Sequence, residues 1–136
     1  MRALLVVATL AAFPLVACST AITRAYTPDP NAERMSLADA QDNLDRFVRL
    51  ECPRLMQAKH DNDEARVSVD VDAGGNVTRA TFSKLTGDDR MDQMFGGIAA
   101  QMKFAPAPDG KEFTGRMRVG YSCSPTVSTA TIELID

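Results

Sequence analysis

Residues 66–71 alternate without a break: Val67, Val69 and Val71 fall on one side, Ser68 and Asp70 on the other. A period of two with a single apolar side predicts a strand that covers a core on one face and meets water on the other. Ala73-Gly74-Gly75-Asn76 follows, a run tolerant of positive φ, and then a second strand pattern, Val77 to Ser83, with Val77, Ala80 and Phe82 as its apolar members. Two such runs across a Gly-Asn turn predict an antiparallel hairpin. Val77 is out of phase with Ala80 and Phe82, so a twist or bulge is expected where the return strand begins. A hairpin with one apolar face is not stable alone in water and needs another layer over that face.

Two segments have the period to supply that layer. Ser36 can cap a helix in which Asp39 stands at the third position, and Leu37, Ala40, Leu44, Phe47 and Val48 then recur at helical spacing. Pro53 interrupts the backbone ladder and biases Cys52 out of the helical region, so this helix is predicted to stop near Cys52. Asp88 or Asp89 can cap a second helix with Met91, Met94, Phe95, Ile98 and Met102 on one stripe. The methionines at this spacing read as gap-filling core residues. Gly96-Gly97 in its middle costs about 1 kcal/mol per residue relative to alanine, which close approach of the helix to the sheet would explain.

Phe104-Ala105-Pro106-Ala107-Pro108-Asp109-Gly110 turns the chain into a third strand pattern, with Phe113, Met117, Val119, Tyr121 and Cys123 on one face and Thr114, Arg116, Arg118 and Ser122 on the other. Residues 127–135 are rich in Thr, Val and Ile and fit either a further strand or a frayed tail. The expected fold is therefore α+β: a two-layer sandwich of a small antiparallel sheet with two helices on one face. Its order is helix-strand-strand-helix-strand, with a possible extra C-terminal strand.

The N-terminus carries an address. Met1-Arg2 is followed by an almost unbroken apolar run from Ala3 to Ala12, then Phe13-Pro14, then Leu15-Val16-Ala17-Cys18. The run is short for a membrane span, which needs about 20 residues, and the order of charge, apolar core and small-residue cleavage site is that of a signal peptide. Its end resembles the bacterial lipoprotein signal, which implies removal of residues 1–17, a lipid on Cys18, and membrane attachment through that lipid. Ser19 after the cysteine, in place of Asp, implies the periplasmic face of the outer membrane. Residues 18–34 contain Pro28 and Pro30 and no apolar periodicity and read as a lipidated tether; the sixteen residues after Cys18, fully extended, reach about 50 Å. Residues 35–123 are the expected domain and 124–136 a C-terminal extension.

Without residues 1–17 the chain has 119 residues, one domain's worth, with 14 basic against 18 acidic side chains and a net charge of −4. That balance gives no electrostatic reason to bind nucleic acid. With Cys18 lipidated, Cys52 and Cys123 remain as a natural pair, and export makes a disulfide chemically reasonable; two separate buried thiols are the alternative. One histidine and no close cysteine spacing do not make a zinc site. His60 lies among Asp61, Asp63 and Glu64, a polar run read as a solvated connection before the first strand rather than a base. Asp70, Asp72 and Asn76 around the glycines lack the bidentate twelfth ligand of a calcium loop and read as a hairpin turn. With no nucleophile elbow and no phosphate-binding loop, the chain reads as a non-enzyme without metal or cofactor.

In order and spacing, Gly75-Asn76-Val77, Thr86-Gly87, Met91-Asp92, Phe104-Ala105-Pro106-Ala107, Gly110-Lys111 and Val119-Gly120-Tyr121 resemble the C-terminal domain of TonB-like energy transducers. The resemblance covers about half of the chain after residue 17. In that family the last strand lies at the sheet edge and accepts an extended peptide from an outer-membrane transporter, a form of strand addition. A lipid anchor and a short tether replace the family's spanning helix and long Pro-rich spacer, so the binding mode is what carries over, not force transduction. The resemblance places the peptide-binding edge on Phe113–Ser122, at Thr114, Arg116, Arg118 and Gly120. It implies an envelope protein or peptide as partner. The other reading is a small envelope lipoprotein acting through its loops as an inhibitor or stress-response factor.

Overall fold

The computed structural model describes residues 24–135. The expected signal segment, Cys18 and the first part of the expected tether lie outside the described residues.

The elements are β1 (Ala25–Tyr26), α1 (Leu37–Gln57), β2 (Asn62–Val71), β3 (Val77–Lys84), α2 (Asp89–Gln101), β4 (Phe113–Cys123) and β5 (Ser128–Ile135). The five strands form one antiparallel sheet in the order β1-β3-β2-β4-β5, with the two helices as its second layer. The fold is the expected α+β arrangement, and of residues 127–135 all but Val127 form a strand.

Both helices start as their caps dictate. Ser36 Oγ accepts the Asp39 N–H at 3.2 Å, and Asp88 Oδ1 accepts that of Met91 at 3.0 Å. Leu44, Val48 and Leu55 of α1 and Met91, Phe95 and Ile98 of α2 are buried against the apolar side of the sheet, made by Val67, Val69, Ala80, Phe82, Met117 and Val119. In the hairpin turn Asp72 Oδ1 accepts the N–H groups of Gly74 and Asn76 at 3.0 and 2.9 Å, an Asx turn of the kind short carboxylates favour. The expected irregularity is present: the register shifts between Asp70 and Val71, where Val71 pairs with Val77 and Asp70 with Arg79. Gly96 is the glycine of close approach, because a Cβ there would overlap the Tyr26 ring of β1; Gly97 opens on free space.

Three expectations are corrected. Helix α1 does not stop at Cys52; it runs through Pro53 to Gln57. Proline removes one backbone bond, and the last turn is held instead by burial of Leu55 and by Arg54, which pairs with Asp88 at 2.8 and 2.9 Å and with Glu51 at 2.7 Å. The Arg54 guanidinium holds the Asp88 carboxyl below its ordinary range. Secondly, residues 24–34 are not a loose tether. Ala25 and Tyr26 pair with Thr81 and Ala80. The buried Gln101 side chain bonds the Asp29 N–H at 3.0 Å and the carbonyls of Asp29 and Ala32 at 3.2 and 3.1 Å. Backbone pairing needs no apolar period, so composition did not reveal it. Thirdly, Asp63 and Glu64 belong to β2, which begins at Asn62 and pairs with the far end of β4.

The disulfide forms between Cys52 and Cys123, with Cα atoms 5.5 Å apart, and ties α1 to the end of β4. Beside it the Tyr121 hydroxyl donates to the His60 carbonyl at 3.0 Å, and burial pushes its phenol up to about 12, with Asp63 adding to the effect. The phenol is neutral in both folded and unfolded chains below about pH 10. Between there and about pH 12 only the unfolded chain ionises, so Tyr121 loses its stabilising effect as pH rises through that window. Denaturation curves recorded across it should show wild-type stability falling more steeply than that of Tyr121→Phe.

Candidate functional site

The sheet's two edges are treated differently. The outer side of β3 is closed along most of its length. At one end Val77 N–H donates to Met102 O at 3.2 Å, Phe104 N–H to Gly75 O at 2.7 Å, and Arg34 Nη1 to Val77 O at 2.6 Å. At the other end β1 pairs with it, and Phe82 N–H donates to Arg24 O at 2.9 Å. Segments 24–26 and 102–104 together act as one split edge strand beside β3.

The opposite edge is β5, and this corrects the placement of the peptide-binding edge on β4. Strand β4 lies between β2 and β5 and pairs with both. Arg118 and Gly120 pair with Glu133 and Thr131, so their backbones are occupied on both sides. The Arg118 side chain lies 3.4 Å from Glu133 and 3.5 Å from Glu64, within the polar face of the sheet. Arg116 pairs with Ile135, the last described residue of β5, so Thr114 falls beyond the end of that strand. The four residues are therefore split: Thr114 and Arg116 lie at a corner of the sheet, Arg118 and Gly120 inside it.

At that corner the helix-facing side of the sheet opens into a groove of about 470 Å³, lined by Phe104, Phe113, Gly115, Leu134 and Ile135. Phe113 is 37 % exposed and Leu134 51 %. Both lie on the apolar face of their strands, yet neither helix reaches over them. The groove continues into the β5 edge through Leu134.

The edge itself carries eight residues, Ser128 to Ile135, with one charge, Glu133, and no Lys or Pro. Those are among the devices that usually discourage pairing with another strand. Its phase is fixed by Gln41 of α1, whose Oε1 accepts the Ile132 N–H at 3.0 Å and whose Nε2 donates to the Ala130 carbonyl at 2.7 Å. Ala130 and Ile132 thus turn their backbone groups away from β4, and antiparallel alternation puts Leu134 in the same phase.

Sequence reading missed Gln41 and the Leu134 groove. The signal for Gln41 was present: it is a polar residue four after Leu37 and three before Leu44, on the apolar stripe of α1. Polar residues on such a stripe must find a partner. The groove had no comparable signal, since it depends on where β5 and α1 end relative to each other.

Elsewhere the buried carboxylates Glu51, Asp88 and Asp92 are all hydrogen-bonded. Glu51 accepts from Arg54 and Arg90 at 2.7 Å each, and buried Asp92 accepts from the N–H and hydroxyl of Thr86 at 2.8 Å each. These carboxylates tie α1, α2 and the loop before α2 together. His60 and Asp61 lie in the exposed link between α1 and β2. Among the described residues no group of three or more His, Cys, Asp or Glu is placed to hold a metal ion, and no helix is long and apolar enough to cross a membrane.

No family model, curated protein or solved structure matches the chain.

Proposed function

We propose that this protein is an outer-membrane lipoprotein facing the periplasm, whose folded module binds an extended segment of another envelope protein by adding it as a strand beside β5. The observation that carries the reading is the asymmetry of the sheet: the β3 edge is closed by three segments of the chain, and the β5 edge runs bare of proline and lysine into an apolar groove. Edge backbone supplies affinity in such binding, and side-chain pockets supply selectivity. The groove beside Phe104, Phe113 and Leu134 suits one bulky apolar side chain of the incoming segment. By pairing with β4, β5 occupies the edge that the TonB-like resemblance would use, so the reading rests on the β5 edge itself and not on that resemblance. Leu15-Val16-Ala17-Cys18 supports the anchor. Only residues 19–23 separate Cys18 from Arg24, the first described residue, a reach of about 20 Å from Cys18. The module therefore works close against its membrane.

The test is a photoreactive residue placed at Thr129, Leu134 or, as a control, Asp109 in the full-length protein in cells. Adducts are expected from the two edge positions, and membrane retention should be lost in Cys18→Ala. Adducts from Asp109 alone would favour action through the loops, and a Cys18→Ala protein still held in membranes would refute the anchor.

A further inference from the structure

Gln41 does more than tie α1 to the sheet. Its amide donates to the carbonyl of Ala130 and accepts the N–H of Ile132, the two groups that flank Thr131 on the open side of β5. In a parallel ladder, a residue opposite Thr131 would make those same two bonds with its own N–H and C=O. One side-chain amide thus stands in for one residue of an added strand at the middle of the edge. Asp45 Oδ1 accepts from the same Nε2 at 3.0 Å and holds the amide in that orientation.

We infer that Gln41 is a latch on the β5 edge, which an incoming extended segment must displace before it pairs along the whole strand. This rests on the strand-addition reading above and adds its regulation. The latch protects the edge from casual pairing, a need created by the lack of lysine and proline on β5, and it lowers the affinity of every segment by the same factor. Selectivity is left to the groove at Leu134, which the latch does not cover. Displacement is feasible because Gln41, although on the sheet-facing stripe of α1, is half-buried and bonds the outer strand of the sheet rather than the core.

Two variants separate this from a merely structural role. Gln41→Ala removes both bonds. Gln41→Glu keeps an acceptor for Ile132 but sets a carboxylate against the Ala130 carbonyl and Asp45. In the full-length protein, amide exchange at Ile132 is expected to quicken at least tenfold in Gln41→Ala, with the thermal midpoint little changed. The yield of adducts from the photoreactive residue at Thr129 should rise by about tenfold in Gln41→Ala, and rise also in Gln41→Glu. An Ile132 amide as protected in Gln41→Ala as in wild type would overturn the latch. So would a deprotected amide with an unchanged adduct yield, which would mean that segments bind without displacing it. Absence of adducts from the edge in every variant would instead overturn strand addition, and the gating role with it.

Discussion

Replacing Cys52 and Cys123 together by alanine is expected to lower the unfolding free energy by about 4 kcal/mol, the chain-entropy value for a loop of this length. The bridge closes a separation of 71 residues, which takes in β2, β3, α2 and most of β4. Its loss should also loosen the last turn of α1, where Pro53 has already removed one backbone bond. Thermal melts of wild-type protein with and without reductant, beside the double variant, are the measurement. The reduced and substituted proteins should melt together, lower than the oxidised form by on the order of 20 °C. Coincident melts for all three would show that the bridge adds nothing.

Gly75→Ala is expected to cost about 3 kcal/mol, combining the strain of a left-handed residue with overlap in a packed site. Gly75 has φ +90°, and a Cβ there would occupy the space of the Phe104 carbonyl. Phe104 in turn donates its N–H to Gly75 O, so the segment that closes the β3 edge would be pushed off it. Gly74→Ala is the control, because its Cβ would meet only Asp72 and Asn76 side-chain atoms at 3.4 and 3.5 Å, ordinary contact. Urea unfolding should separate the two variants clearly, and Gly75→Ala should be the one that self-associates as its second edge opens. Equal midpoints would contradict the close approach.

The parts of this fold that were legible in the sequence are those set by local period and local chemistry. Val67, Val69 and Val71 name a strand face, Val77 out of phase names the bulge, and Ser36 and Asp88 name the helix starts. The pairing of Cys52 with Cys123 was legible because giving Cys18 to a lipid leaves those two thiols, and Cys123 falls on the apolar face of its strand. Illegible parts depend on tertiary competition. Pro53 reads as a stop until Leu55 and Arg54 find partners beyond it. Residues 24–34 read as a tether until Gln101 and β3 offer backbone partners. The binding edge was misplaced for a related reason. Ala130, Ile132 and Leu134 alternate as a strand, but only the turn in which Ser124 Oγ accepts the Val127 N–H at 3.0 Å folds them back onto β4. A four-residue connection thereby moved the edge one strand outward.

The central claim, that β5 is an edge held ready for a further strand, is tested most directly by amide exchange at residues 130, 132 and 134 in the free protein and in the complex captured from the edge. In the free protein the Ile132 amide should be protected through Gln41, and those of Ala130 and Leu134 should exchange quickly. In the complex all three should be protected together, by at least tenfold at Ala130 and Leu134. Fast exchange at Ala130 and Leu134 in the complex, with new protection confined to the 105–112 turn, would contradict strand addition and place recognition in the loops.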